Sequence, residues 1–154
     1  MTDRPIHVLV LCTGNSARSV LAECLINDLG GGKWKAFSAG SHPTGKVNPL
    51  SLEILREMGH STEGLRSKSW DEFALPDAPQ MDLVITVCDN AAGEVCPIWP
   101  GHPAKVHVGF PDPADAEGSH EECLAVFRSV YGMINAKIRK LIELGPTNAG
   151  ELSQ

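Results

Sequence analysis

The chain has 154 residues, which suits one compact domain, and its 42% hydrophobic and 21% charged residues are the proportions of a folded globule. Its formal net charge of −6 argues against general binding to nucleic acid or anionic membranes, because no basic field attracts phosphate groups. No apolar run reaches the roughly 20 residues that cross a bilayer, and the apolar stretch 6–12 is too short for a signal peptide. We predict a cytoplasmic monomer with a single domain over 1–154, whose core extends from about residue 6 to 144.

Strand and helix patterns alternate along the chain. Residues 6–12 are apolar almost without a break, which predicts a buried parallel strand, and 17–29 carry apolar residues at helical spacing. Further elements are predicted as strands at 34–39, 82–87 and 104–108, a helix opened by Asn48 and Pro49, and a long helix from the capping box of Ser119 and Glu122 to Gly145. This order indicates an α/β fold with a parallel sheet covered by helices on both faces. The last eight residues are expected to fray.

Three reactive residues are predicted to share one edge of the sheet. Cys12, Cys88 and Asp112 each lie at or just beyond the end of a predicted strand. In open parallel α/β folds, ligands bind beyond the carboxyl ends of the strands. We therefore expect the functional site at that edge.

The segment between the first predicted strand and the first helix is the most informative. Its residues are Cys12-Thr13-Gly14-Asn15-Ser16-Ala17-Arg18-Ser19. A loop at this place can point backbone N–H groups inward to hold an anion, next to the positive end of a helix dipole. Gly14 and Asn15 accept left-handed backbone angles, and the planar fork of Arg18 can bind two oxyanion oxygens. The same groups, with a hydrogen bond from Ser19, favour the thiolate of Cys12, a nucleophile facing the anion. The alternative is a buried cysteine before an ordinary helix.

This run, followed by Ala22-Glu23, resembles the active-site loop of arsenate reductases built on the low-molecular-weight tyrosine phosphatase fold. The resemblance covers residues 6 to about 144. It implies a three-layer αβα sandwich with a four-stranded parallel sheet, with Cys12 as nucleophile and Arg18 as oxyanion binder. It also implies that Asp112 protonates the departing oxygen. Without the resemblance, Asp112 would be interpreted as a turn residue, since Asp-Pro pairs are common in turns.

Cys88 and Cys96 are two thiols more than a phosphatase of this fold needs. Together with the resemblance they suggest a relay in which Cys12 attacks arsenate, Cys88 attacks Cys12 as arsenite leaves, and Cys96 moves the disulfide to Cys88–Cys96. An external thiol reductant, thioredoxin or glutathione with glutaredoxin, then restores the enzyme, and no bound cofactor is required. The alternatives are that both thiols are inert, or that they bind zinc with His102 and His107. Seven residues between the cysteines are wide for a zinc pair.

Two other functions remain open at the level of sequence. A phosphotyrosine phosphatase would use the same anion loop, but Asp112-Pro113 is followed by Ala114 and Asp115 rather than by aromatic residues that hold a tyrosine ring. A non-catalytic arsenite or redox sensor would commonly carry a basic recognition helix, which the sequence lacks.

A few other residues need an interpretation. Asn15, Glu23 and Ser38 resemble positions that hold potassium in some related reductases, although a surface glutamate and a strand serine are the simpler interpretation. Cys24 and Cys123 lie on predicted helices among apolar neighbours, so we expect them to be structural. No role is assigned to His42, His60 and His120.

Overall fold

The computed structural model describes residues 5–87, 104–113 and 116–153. Its four strands form one parallel sheet in the order β2-β1-β3-β4: β1 (Ile6–Cys12), β2 (Trp34–Gly40), β3 (Leu83–Thr86) and β4 (Ala104–His107). Within the described ranges, three α-helices and two 3-10 helices accompany it: α1 (Arg18–Leu29), α2 (Pro49–Glu57), α3 (His120–Leu144), and the 3-10 helices Trp70–Phe73 and Pro146–Ser153. The predicted α/β fold with a four-stranded parallel sheet is confirmed.

The helices begin where the capping residues predict. The Asn48 side chain accepts a hydrogen bond from the Leu50 N–H at 2.9 Å, and Pro49 occupies the first turn, where its missing N–H costs nothing. At the start of α3, Ser119 Oγ accepts from the Glu122 N–H at 3.1 Å, and Glu122 Oε1 accepts from the Ser119 N–H at 3.2 Å. This reciprocal pair satisfies two N–H groups that the first helical turn leaves unpaired.

Alternate residues of β1 supply the two faces of the sheet. Val8 and Val10 pack into the larger core with α1, α2 and α3. Leu9 and Leu11 pack on the opposite face against Trp70 and other apolar side chains of the 60–81 region. The arrangement is a three-layer sandwich, and in the described residues the 3-10 helix Trp70–Phe73 packs on the second face.

The carboxyl end of the chain is more ordered than the sequence suggested. Residues 146–153 form a 3-10 helix, and Ala149 is 1% exposed within the larger core. The expectation of fraying was wrong because one small apolar side chain anchors this segment beside the end of α3. Across the described ranges, we find no helix that is long and apolar enough to cross a membrane.

Candidate active site

Cys12 ends the central strand, and its sulfur is held by a short polar chain. The side chain is buried, and Cys12 Sγ lies 2.9 Å from Ser19 Oγ on the first turn of α1. The Asn15 Nδ2 group donates to Ser19 Oγ at 2.8 Å. A hydroxyl has one proton and two lone pairs, so Ser19 Oγ can accept from Asn15 and still donate its own proton to the sulfur. When Cys12 is a thiolate its sulfur can only accept, and Ser19 is then the hydrogen-bond donor to it.

Asn15 is the left-handed residue that bends the loop. It is fully buried with φ +48°, and no other described non-glycine residue has a positive φ. Its Oδ1 accepts the Lys68 N–H at 2.9 Å, which fixes the orientation of the amide and hence the donor role of Nδ2. Asparagine tolerates this backbone region better than most residues, so its place in the motif follows from conformation as well as hydrogen bonding.

The loop at residues 13–17, here the cradle loop, is held from outside through its carbonyl groups. These oxygens accept backbone N–H bonds from the next loop of the chain: Thr13 from His42 (2.9 Å), Gly14 from Thr44 (3.1 Å) and Ser16 from Asn48 (3.0 Å). The described peptide bonds are all trans, so each N–H points opposite to the carbonyl of the same peptide unit. The N–H groups of Gly14, Asn15 and Ala17 therefore face the inner side of the loop, where an anion can accept from them.

The N-terminus of α1 adds to this set of donors. Its cap residue is Ala17, which makes no side-chain capping bond, and no acidic residue lies in the first turn. The first N–H groups of a helix need partners from outside, and the helix dipole makes an anion the favoured one. The predicted anion site thus lies at a helix N-terminus that has no side-chain cap from Ala17.

Gly40 brings the backbone of β2 against the cradle loop. It pairs with Cys12 in the sheet, and a Cβ atom built on it would lie 2.3 Å from Thr13 O and 2.9 Å from Cys12 O. Its N–H donates to Lys68 O at 2.9 Å, so the backbone has little room to withdraw. Only glycine fits here, a requirement that we did not anticipate because it depends on the pairing of two distant segments.

Arg18 and Asp112 meet across the opening of the site. Arg18 Nη2 lies 3.3 Å from Asp112 Oδ2, and Arg18 Nη1 donates to Phe110 O at 3.1 Å. Phe110 is itself joined to the end of β3 by its N–H bond to Val87 O at 3.1 Å. The guanidinium predicted to bind an oxyanion and the carboxyl predicted to move a proton are thus placed together by the extension of the sheet.

These groups surround one open cleft of ≈ 430 Å³, here the Cys12 cleft. Its walls include seven of the predicted site residues and two that were missed: Cys12, Thr13, Gly14, Ser16, Ala17, Arg18 and Asp112, with His42 and Thr44. Asn15 and Ser19 lie behind the wall, where they support the loop and the sulfur. Sequence reasoning missed His42 and Thr44 because only the folded chain brings their loop to the cradle.

Glu23 and Ser38 form a pair beneath the cradle. The Ser38 hydroxyl donates to Glu23 Oε1, and burial raises the pKa of Glu23 although Ser38 and the Lys68 ammonium oppose the rise. Burial likewise lowers the pKa of Lys68, against the attraction of Glu23. The three residues considered for potassium thus lie near a built-in cation, and no cluster of three His, Cys, Asp or Glu residues suited to a metal occurs in the described ranges.

The remaining described thiols are structural. Cys24 is buried in the larger core, and burial, assisted by Glu23 and Asp28, raises its pKa to about 12. Cys123 is half-buried and donates to Ala116 O at 3.5 Å. Both fit the sequence interpretation.

Several predicted residues lie outside the described part of the chain. Cys88 and Cys96 of the relay are among them, as are His102 of the zinc alternative and the pair Ala114-Asp115 that bears on the phosphatase alternative. The relay and the zinc alternative stay predictions from sequence.

The chain belongs to the low molecular weight phosphotyrosine protein phosphatase family, whose model matches residues 7–149. The chain is similar to proteins described as arsenate reductases. It is 41% identical over 138 residues to an arsenate reductase from Halalkalibacterium halodurans, a match that covers 90% of this chain and 96% of that protein.

Solved structures of arsenate reductases have the same fold. An arsenate reductase from Archaeoglobus fulgidus superposes with a TM-score of 0.69 at 29% identity, over 88% of this chain and 98% of that one. A thioredoxin-dependent arsenate reductase from Corynebacterium glutamicum gives a TM-score of 0.65 at 28% identity, over 100% of this chain and 66% of that one.

Proposed function

We propose that this protein reduces arsenate to arsenite, with Cys12 as the nucleophile and an external thiol as the electron donor. The observation that carries the proposal is the meeting of the Cys12 thiol, the inward N–H groups of the cradle loop, Arg18 and Asp112 in one cleft. The similarity to arsenate reductases over nine-tenths of the chain supports the same reaction.

In the first step, arsenate lies in the cradle loop with its oxygens bound by backbone N–H groups and Arg18. The Cys12 thiolate forms a sulfur–arsenic bond, and one arsenate oxygen leaves as water after taking a proton from Asp112. The Ser19 hydroxyl, 2.9 Å from the sulfur, stabilises the thiolate before the attack. Fixed donors need no reorganisation as charge develops on the oxygens, which is the usual way a preorganised site lowers a barrier.

The second step transfers two electrons to arsenic. Cys88 attacks Cys12 Sγ, a disulfide forms, and the electron pair of the sulfur–arsenic bond stays on arsenic, which leaves as arsenite. Cys96 then attacks Cys88, which gives a Cys88–Cys96 disulfide and returns Cys12 to the thiolate. We infer this relay from the sequence positions of Cys88 and Cys96, because both lie outside the described part of the chain.

Thioredoxin is the reductant we favour for the final disulfide. The neighbour from Corynebacterium glutamicum is described as thioredoxin-dependent, and a Cys88–Cys96 disulfide has the form of a dithiol substrate for such a donor. Thiol chemistry of this kind requires a reducing compartment, so we place the protein in the cytoplasm.

The walls of the Cys12 cleft favour a small inorganic oxyanion over a phosphotyrosine side chain. Among the described lining residues, the imidazole of His42 is the only ring, and the other wall groups are small, hydroxylic or charged. A tyrosine ring would gain little apolar contact there. This observation favours arsenate reduction, while the shared nucleophile leaves weak phosphatase activity as a side reaction.

Lys68, rather than a bound potassium ion, is expected to balance the charge of Glu23. Its ammonium attracts Glu23, and its backbone N–H holds Asn15 in place. The structure of the cradle then does not depend on a dissolved cation. We therefore expect arsenate reduction to proceed equally in sodium and potassium buffers.

The decisive experiment follows NADPH oxidation with arsenate, thioredoxin and thioredoxin reductase. Wild type should turn over, whereas Cys12→Ser, Cys88→Ser and Cys96→Ser should each stop. Cys123→Ser is the matched control, since its thiol bonds to a backbone carbonyl away from the cleft, and it should keep wild-type activity.

Two other outcomes separate the alternatives. Activity in Cys96→Ser with glutathione and glutaredoxin would indicate a shorter relay. Hydrolysis of aryl phosphates through Cys12, with no arsenate reduction under any thiol donor, would establish a phosphatase instead.

A further inference from the structure

His42 belongs to the loop that contributes His42 and Thr44 to the lining of the Cys12 cleft. Its side chain is exposed, and it lines the same cavity as Cys12, Arg18 and Asp112. We propose that His42 is an oxyanion-binding residue, whose imidazole donates an N–H hydrogen bond to an oxygen of the anion held by the cradle loop. This proposal takes one thing from the proposed function, namely that the ligand of the cleft is an oxyanion.

The backbone of His42 is fixed relative to the cradle on both sides. Its own N–H donates to Thr13 O at 2.9 Å, and the Thr44 N–H donates to Gly14 O at 3.1 Å. Between them, Pro43 restricts His42 to extended backbone angles. The imidazole therefore starts from an anchored Cα, and a bond from it to the anion costs less conformational entropy than one from a free loop.

The neighbouring Ser41 influences which nitrogen of the His42 ring carries the proton. Ser41 Oγ lies 3.1 Å from His42 Nδ1. When the hydroxyl donates to Nδ1, the ring proton lies on Nε2, and in the protonated ring both nitrogens carry protons. In these two forms, as opposed to the neutral form in which Nδ1–H donates to Ser41 Oγ, Nε2 is a hydrogen-bond donor at the outer end of the ring.

The charges in the cleft make a further hydrogen-bond donor favourable for anion binding. The titratable side chains that line it in the described residues are Cys12, Arg18, Asp112 and His42. Arg18 lies 3.3 Å from Asp112 and donates to Phe110 O, so part of its donor capacity is already used when a dianion enters beside a thiolate. The whole chain carries −6, which repels anions as well. A second donor group in the lining of the cleft offsets this repulsion where the anion binds.

The test measures binding of inorganic phosphate to the full-length reduced protein by isothermal titration calorimetry. Phosphate has the shape and charge of arsenate but is not reduced, so the readout does not depend on turnover. The variants are His42→Ala, His42→Gln, which keeps an N–H donor without a ring, and His120→Ala. His120 is the control because it is an exposed histidine paired with Glu53 on another part of the surface.

We expect His42→Ala to weaken phosphate binding about tenfold, the usual effect of losing one hydrogen bond to a charged group. His42→Gln should stay within about threefold of wild type, and His120→Ala should not change the Kd. In arsenate reduction, His42→Ala should raise KM with little effect on kcat, because the bond is made before the chemical step. The bond to Thr13 uses backbone atoms, so the unfolding midpoint of His42→Ala should equal that of wild type.

An unchanged phosphate Kd in His42→Ala would overturn the proposal, as would an equal loss in His42→Gln or a failure of wild type to bind phosphate. If His42 controls phosphate binding but wild type does not reduce arsenate, the proposed function fails and the role of His42 stands.

Discussion

Replacing Gly40 by alanine should damage the cradle loop more than any other single methyl group added to the site. The new Cβ would lie 2.3 Å from Thr13 O and 3.0 Å from Thr13 C, both backbone atoms. Carbon–oxygen contacts are normally no shorter than about 3.3 Å, so the two segments must separate by about 1 Å. The Gly40 N–H bond to Lys68 O and the pairing with Cys12 both resist that movement.

The expected cost has a stability part and an activity part. Overpacking of this kind costs about 1–3 kcal/mol, which lowers the unfolding midpoint of a chain of this size by roughly 2–12 °C. The activity should suffer more, since the displaced peptide unit carries the inward N–H of Gly14. A misplacement of about 1 Å can lower a rate on the order of a hundredfold.

Two assays check this prediction: thermal unfolding, and arsenate reduction coupled to NADPH oxidation. Gly132→Ala is the matched control, because a Cβ there meets nothing within 4 Å and alanine favours a helix interior. It should be as active as wild type and equally stable or more so. If Gly40→Ala matches wild type in both assays, the close approach of β2 to the cradle loop does not constrain the site.

Three further predictions follow from single contacts. Ser19→Ala removes the donor to Cys12 Sγ, so the rate of Cys12 alkylation by iodoacetamide at fixed pH should fall about tenfold, whereas the exposed change Ser129→Ala should have no effect. The folded-state pKa of Glu23 is raised above 4.5 by burial, so the stability that its protonated form contributes is present below that value and lost as pH rises through the folded pKa. In urea unfolding at several pH values, the free energy of unfolding of Glu23→Gln should fall less steeply with rising pH than that of wild type. An equal slope in the two proteins would contradict the raised pKa of Glu23. Cys24 has a pKa of about 12, so at pH 8 only roughly one thiol in ten thousand is a thiolate; peptide mass spectrometry should find it unmodified until the chain unfolds, and rapid labelling of the native protein would refute its burial.

Local signals in the sequence were sufficient for the fold. The apolar run 6–12 became β1, and the capping residues Asn48 and Ser119 opened helices at the predicted places. The ends of elements depend on longer-range packing, which is why the segment at 146–153 was predicted wrongly as frayed. Its one buried alanine gives no periodic pattern that could have been recognised.

The site was predictable to the extent that it lies in one motif. Residues 13–19 are contiguous in the chain, so one short sequence pattern indicates both which groups they carry and that these groups lie close together. Gly40, His42 and Thr44 reach the cradle only through the parallel pairing of β1 with β2, and no local pattern reveals that contact. A glycine or histidine in a predicted loop is ordinary until the fold shows what lies beside it.

The eight residues from Cys12 to Ser19 do not determine the shape of the cradle loop by themselves. Its bends are fixed by groups that lie outside it: the backbone N–H groups of His42, Thr44 and Asn48, the hydroxyls of Ser51 and Ser67, and the backbone of Gly40. Grafting the eight residues of the motif onto a strand–helix junction of an unrelated scaffold would transfer the thiol and the guanidinium but not the shape of the loop. An engineered reductase on a new scaffold would therefore have to reproduce this surrounding framework, which spans almost forty positions of the chain between Gly14 and Ser51 alone.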